Sequence, residues 1–182
     1  MARATLRFSG FGGQGIILAG VIVAKAAVEQ DGIYAALTQS YGAESRGGAC
    51  MANIVLSQER IDYPEPEELD ILVVMSQSAL DQHIGGLLPD GILIVDSDMV
   101  PEVPQGLTGP VYRIPATQTA TQQLGGQVAA NMVMLGATAR LTSTVSIHGL
   151  IAAMENTVPS HMAEPNRHAI QAGVELAEEL VS

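Results

Sequence analysis

The first third of the chain alternates between the hydrophobic patterns of strands and of a helix. Apolar and polar residues alternate over 5–9, which predicts a strand. A glycine-rich turn follows, and the next apolar stretch predicts a helix over 14–30. A second strand is expected over 33–38. Strand, turn, helix and strand in this order form a βαβ unit.

The predicted helix over 14–30 has no polar face along most of its length. From Ile16 to Ala24 the chain carries no polar side chain, and Lys25 is the first charged residue. A helix that is apolar all round is buried all round. We therefore expect one side to lie on the sheet and the other to meet another helix or another subunit. The apolar run is too short for a bilayer, which needs about 20 residues.

Further elements follow the same logic. Continuous apolar runs predict strands covered on both faces, and the chain beyond Pro115 is dominated by helical patterns. Further strands are expected at 49–56, 70–75, 91–96 and 111–114, with an antiparallel excursion over 49–63. Helices are expected at 76–84, 116–124, 127–140, 146–157 and 164–180. The predicted fold class is α/β: a doubly wound, Rossmann-like, mostly parallel sheet with a helical C-terminal part, in one domain over 1–182.

Charge and composition exclude several function classes. The net charge is −11, with 19 acidic and 8 basic residues, so a basic surface for nucleic acid or for an anionic membrane is not expected. The N-terminus leads directly into a strand without a signal peptide, which predicts a cytoplasmic protein. Charged residues make up only 15% of the chain, against about 25–35% for the surfaces of free-standing domains. Either the sheet is covered on both faces or partner chains cover part of the surface.

The glycine-rich turn carries the first candidate chemistry. Gly10 to Gly15 reads Gly-x-Gly-x-x-Gly between a strand and a helix, where backbone N–H groups can hold a phosphate or a carboxylate. A dinucleotide site would also require an acidic residue at the end of the second strand. That strand ends in Thr38-Gln39-Ser40 instead. The alternative is a tight turn needed only to pack the helix on the sheet.

The loop over 40–48, after the second strand, carries the second candidate site. Arg46 is one of the few bases in an acidic chain, and its guanidinium group suits a carboxylate or a phosphate. Glycines on both sides allow a close approach to a ligand or a partner backbone. The alternative is that Arg46 pairs locally with Glu44.

Other residues offer less chemistry. His161 and His168 with Glu164 could share one helix face, but Pro165 interrupts it and an ordinary surface helix is the simpler interpretation. Cys50 is the only cysteine, cannot hold an iron–sulfur cluster alone and is expected to be a small strand residue. Asn131, among apolar neighbours, is expected to be a buried amide that fixes the fold. No nucleophile with its base is evident, so no catalytic residue is assigned to this chain.

Taken together, the two loops resemble those of the gamma subunit of 2-oxoacid:ferredoxin oxidoreductases. The residues that carry the resemblance are Phe-Gly-Gly-Gln-Gly at 11–15 and Ser-Tyr-Gly-Ala-Glu-Ser-Arg-Gly-Gly at 40–48. The stretches 129–136 and 151–155 and the terminal helix around Ala172-Gly173 are also similar, so the resemblance spans about 4–178. The form of the second loop resembles the branch that uses 2-oxoglutarate and related substrates.

The resemblance implies a multi-subunit enzyme. Such enzymes convert a 2-oxoacid and coenzyme A to acyl-CoA and carbon dioxide and pass electrons to ferredoxin. It further implies alpha and beta partner subunits, which carry thiamine diphosphate with Mg and the iron–sulfur clusters, and could include a ferredoxin-like delta subunit. The sequence agrees, since it has no Gly-Asp-Gly…Asn diphosphate motif and no cysteine cluster. We therefore expect this chain to bind no cofactor alone.

Within such a complex, the two loops would contact a ligand or a partner. The residues assigned to this role are Gly12, Gly13, Gln14, Gly15, Ser40, Tyr41, Glu44, Arg46, Gly47 and Gly48. In one hypothesis they line the coenzyme A or substrate side of the enzyme. In the other the subunit is purely structural and its loops only pack against partners. An autonomous Rossmann-like nucleotide-binding module is the third alternative.

Overall fold

The computed structural model describes residues 3–41, 49–64, 66–123, 126 and 129–181. Within them, a six-stranded sheet is combined with six α-helices. The strands are β1 Arg3–Phe11, β2 Tyr34–Tyr41, β3 Ala49–Ser57, β4 Leu69–Val74, β5 Leu87–Asp96 and β6 Val111–Ile114. The helices are α1 Ile16–Lys25, α2 Gln77–His83, α3 Ala116–Gln123, α4 Ala130–Thr142, α5 Ile147–Glu155 and α6 Ser160–Val181. A π-helical turn, Ala26–Gln30, extends α1, and a 3-10 turn, Ile84–Gly86, follows α2.

The sheet is mostly parallel, as the sequence predicts. Its order is β2-β3-β1-β4-β5-β6, and β1, β4, β5 and β6 pair in parallel. Strand β3 is antiparallel to both β1 and β2, which confirms the predicted antiparallel excursion. The connection from β1 through α1 to β2 therefore leaves one strand position between β1 and β2, and β3 occupies it.

The main core lies on one face of the sheet. Leu6 and Phe8 of β1 and Ile54 of β3 are at most 1% exposed and share one cluster with residues of α1, α3, α4, α5 and α6. Helix α1 packs on the sheet with one side and on α4 and α5 with the other. Its Ile22 and Val23 are buried and Val21 is half-buried, so the expected two-sided burial of this helix is confirmed.

Helices α4 and α6 cross at unusually close range because two glycines meet there. A Cβ on Gly136 would overlap the carbonyl oxygen of Ile170, and one on Gly173 would overlap that of Val133. Neither position has room for a side chain. The close contact anchors the helical C-terminal part to the core.

The second face of the sheet is covered unequally. A smaller cluster joins Leu72 and Val74 of β4 and Leu93 of β5 to Leu80 of α2. The helices therefore lie on both faces, as a doubly wound sheet requires, but among the described residues α2 is the one α-helix that contributes to the second cluster. Among the described residues, no helix is long and apolar enough to span a membrane.

Several predicted boundaries are wrong. Strand β5 begins at Leu87 rather than at 91, and β2 ends at Tyr41 rather than at 38. Helix α1 begins at Ile16 rather than at 14, because Gly15 adopts a left-handed conformation with φ 73° that no helix continues. Helix α6 begins at Ser160 rather than at 164 and includes Pro165. A proline removes one backbone donor, but the helix continues through it because Asn166, Ala169 and Ile170 are buried against the core.

Candidate functional site

The glycine turn lies at the carboxyl edge of the sheet, where ligand crevices form in open α/β sheets. Strand β1 ends at Phe11 and α1 starts at Ile16, so the turn occupies the residues between them. Gly13 and Gly15 have φ values of 99° and 73°. L-residues with side chains rarely adopt this region, so these two positions require glycine for the turn itself.

Gln14 closes the ligand crevice that the order of the strands would otherwise leave between β1 and β4. The crossover after β1 lies on one face of the sheet and that after β4 on the other, so the switch point lies between β1 and β4. There, Gln14 Oε1 accepts a hydrogen bond from Phe11 N at 2.6 Å, and Nε2 donates to Met75 O at 2.7 Å. Both ends of the amide are used within the chain. The structure therefore gives Gln14 a positioning role in the turn.

Ser40 and Tyr41 lie at the same edge of the sheet as the glycine turn. Tyr41 pairs with Cys50, and Cys50 pairs with Gly10. The end of β2 is thus two strand spacings from the turn, about 10 Å. The Tyr41 side chain is 68% exposed. The rest of the second loop, over 42–48, which includes Glu44, Arg46, Gly47 and Gly48, lies outside the described residues.

A cavity of about 160 Å³ lies beside the turn, between it and helices α4 and α6. Asn131 Nδ2 donates to Gly15 O at 3.2 Å, which confirms that this buried amide fixes the fold. The Asn131 side chain is only 3% exposed, and its Oδ1 has no hydrogen-bond partner. The other lining residues are Gly13, Leu18, Met132, Val158, Pro159, Met162 and Asn166. The cavity is mostly apolar and could accept a slender group.

Asp96, at the end of β5 on the same edge, is a buried carboxylate that the sequence analysis did not single out. Its Oδ2 accepts from Thr117 Oγ1 at 2.6 Å and its Oδ1 from Asp98 N at 3.2 Å. Burial raises the pKa of this carboxyl, and the hydrogen bonds oppose the shift. Asp96 therefore links the start of α3 to β5. An acidic residue at the end of a buried strand is the sequence signal that could have indicated this role.

The remaining candidates do not form a reactive centre. Cys50 is buried in β3, as expected of a small strand residue, and burial raises the pKa of its thiol. A thiol with a raised pKa is a poor nucleophile. His168 lies 3.6 Å from Glu164 on the exposed surface of α6. Among the described residues, no group of three or more His, Cys, Asp and Glu side chains could hold a metal ion.

Comparisons with known proteins agree over the whole chain. The family model described as pyruvate ferredoxin/flavodoxin oxidoreductase matches residues 5–176. The 2-oxoglutarate synthase subunit KorC of Methanothermobacter marburgensis is 47% identical, over 96% of each chain. The pyruvate synthase subunit PorC of Methanothermobacter thermautotrophicus is 36% identical, also over 96% of each chain. The crystal structure of a keto/oxoacid ferredoxin oxidoreductase gamma subunit from Geobacter sulfurreducens superimposes with a TM-score of 0.89, at 39% identity and 98% coverage of both chains.

Proposed function

The chain belongs to the pyruvate ferredoxin/flavodoxin oxidoreductase family, and we propose that it is the gamma-type subunit of a 2-oxoglutarate:ferredoxin oxidoreductase. The observation that carries this proposal is the end-to-end similarity to a 2-oxoglutarate synthase subunit. The similarity to a pyruvate synthase subunit is lower over the same length. This difference favours 2-oxoglutarate over pyruvate as the substrate.

The complex would oxidatively decarboxylate its 2-oxoacid. In this reaction 2-oxoglutarate and coenzyme A yield succinyl-CoA and carbon dioxide, and the two electrons released reduce ferredoxin. Thiamine diphosphate with Mg and iron–sulfur clusters would supply this chemistry on the alpha and beta subunits, with a ferredoxin-like delta subunit as a further partner. The donor set of this chain does not fit an iron–sulfur cluster, because its single cysteine is buried within a strand.

Within the complex, this subunit would present its carboxyl edge to a ligand or to a partner. The glycine turn and the end of β2 lie on that edge, and the Arg46 loop joins β2 to β3 there. Arg46 would bind either an anionic group of coenzyme A or a carboxylate of a neighbouring subunit. The internal hydrogen bonds of Gln14 and Asn131 support a rigid frame for this edge. The closed crevice between β1 and β4 does not favour an autonomous nucleotide-binding module.

Co-purification tests the assignment. The chain, tagged and co-expressed with the thiamine-binding subunits, should elute with them, and the complex should reduce ferredoxin in the presence of 2-oxoglutarate and coenzyme A. Pyruvate in place of 2-oxoglutarate should support much less reduction. A complex that prefers pyruvate would refute the substrate assignment. A chain that elutes alone as a stable monomer would refute the subunit assignment.

The variant Arg46→Ala separates the two roles of the second loop. A charge-assisted hydrogen bond is worth about 1.5–3 kcal/mol, which corresponds to roughly one to two decades of affinity. A ligand role predicts a raised KM for coenzyme A in an intact complex. A docking role predicts a weaker complex with an unchanged KM. Arg60→Ala, in an exposed part of the β3–β4 connection, is the matched control and should change neither.

A further inference from the structure

A set of hydrogen-bonded polar side chains crosses the second face of the sheet, where no reactive group has been assigned. Thr38 of β2, Asn53 of β3 and Arg7 of β1 lie in one row of the strand register. Arg7 Nε donates to Asn53 Oδ1 at 2.6 Å, and Asn53 Nδ2 donates to Thr38 Oγ1 at 3.2 Å. At the other end, Arg7 Nη1 lies 3.4 Å from Nδ1 of His83 at the end of α2.

Arg7 has no acidic partner among the described residues. The ion pairs there join Arg140 to Glu178, Arg167 to Glu155 and His168 to Glu164, and none includes Arg7. The guanidinium group is half-buried, and burial lowers its pKa. Buried charges are normally paired. Lys25 is the other half-buried cation without an ion pair among the described residues, and its Nζ donates to Thr157 Oγ1 at 3.1 Å instead.

His83 adds a second donor to the same place. Only 8% of the residue is exposed, and burial together with the charge of Arg7 lowers the pKa of its imidazole. A neutral imidazole that accepts from Arg7 through Nδ1 carries its hydrogen on Nε2. Neither Nε2 of His83 nor Nη2 of Arg7 has an acceptor among the described residues. Both groups can therefore donate to an oxygen brought from outside the chain.

The surface beside Arg7 is open at the edge of the sheet. In the described part of the chain, β2 is an edge strand and β3 is its single neighbour in the sheet. On this face Thr38 of β2 and Met51 of β3 are half-buried, Ser40 is exposed, and Tyr34 is 55% exposed. The large helical layer lies on the opposite face. Tyrosines and arginines are enriched in protein–protein interfaces, and an exposed face that extends over three strands suits a macromolecule better than a small anion.

We propose that this face, centred on Arg7 and His83 and extending over β3 to the edge strand β2, is a docking surface for a partner subunit that presents an Asp or Glu carboxylate to Arg7. The proposal rests on the proposed function, since it assumes that the chain works within a complex. It is distinct from the contacts proposed for the carboxyl edge. Charge complementarity carries it: a partner carboxylate supplies the acceptor that the described part of this chain does not.

Arg7→Gln and Arg7→Lys test the proposal in the assembled complex. Arg7→Gln should raise the dissociation constant of this subunit about 10- to 100-fold, as expected for the loss of a charge-assisted contact. Its binding should also depend less on salt concentration, because one ion pair is missing. Arg7→Lys keeps the charge and should lose less. Arg140→Gln removes an exposed arginine of an ion pair within the chain and should leave the affinity unchanged.

Hydrogen exchange gives a readout that needs no substitution. In the wild-type complex, the backbone amides of 34–38, which lie away from the carboxyl edge, should exchange more slowly than in the isolated chain. Unchanged exchange there, or wild-type affinity and salt dependence of the Arg7→Gln complex, would overturn the docking surface. So would inorganic phosphate binding that Arg7→Gln abolishes without weakening the complex, since that identifies a site for a free anion. Failure of the wild-type chain to assemble would instead refute the proposed function.

Discussion

Gly15→Ala should be much more harmful than Gly13→Ala, although both glycines lie in the same turn. Both have positive φ values, and a left-handed L-residue costs about 1–2 kcal/mol. A Cβ on Gly13 meets nothing within 4 Å, whereas one on Gly15 would overlap Nδ2 of Asn131. The amide must then move and lose its hydrogen bond to Gly15 O. A buried polar group left without its partner costs about 1–3 kcal/mol more.

The expected loss of unfolding free energy is therefore about 1–2 kcal/mol for Gly13→Ala and about 2–5 kcal/mol for Gly15→Ala. Urea unfolding of the isolated chain measures both, with unchanged m-values as the control for two-state behaviour. A double-mutant cycle isolates the clash. In an Asn131→Ala background, Gly15→Ala should cost no more than Gly13→Ala does in the wild type. Equal costs for the two single substitutions would refute the role of Asn131.

Three further predictions concern contacts that stabilise the fold. Gln14→Ala removes two hydrogen bonds and should lower the unfolding free energy by about 1–3 kcal/mol in urea titrations. An unchanged urea midpoint would show that these two hydrogen bonds do not stabilise the fold. Gly173→Ala should lower the melting temperature by several degrees because α6 must move from α4, whereas Gly85→Ala has open space and should not; equal shifts would contradict the close crossing. The lowered pKa of His83 means that the folded state resists protonation, so stability should fall as pH drops below about 6.5. His83→Gln should weaken that fall, and an identical pH profile would contradict the assignment.

The local pattern was sufficient to predict most elements. The apolar runs at 70–75 and 91–96 became β4 and the second half of β5, and the all-apolar helix is buried on two sides. These features depend on short-range periodicity and on which residues must leave water. The sequence also predicts the strand at 49–56 and the antiparallel excursion over 49–63, and β3 confirms both.

What the sequence did not reveal depends on contacts between distant residues. The insertion of β3 between β1 and β2 is a matter of strand pairing, which local patterns do not encode. The sequence predicts a ligand or partner contact for Gln14 because its hydrogen-bond partner, Met75 O, is 61 positions away and cannot be seen in the local pattern. The hydrogen-bonded side chains of Arg7, Asn53 and His83 likewise come from three separate elements, β1, β3 and α2. A polar residue inside an apolar strand was the only available signal.

Adding the chain back to its partners tests the central claim most directly. The thiamine-binding subunits, purified without this chain, would be titrated with it while coenzyme A- and 2-oxoglutarate-dependent reduction of ferredoxin is measured. Activity should be low at first, rise with added chain and level off at one fixed stoichiometry, with the chain eluting in the large complex. Full activity without the chain, or no response to its addition while it remains monomeric, would contradict its assignment as a subunit of this enzyme.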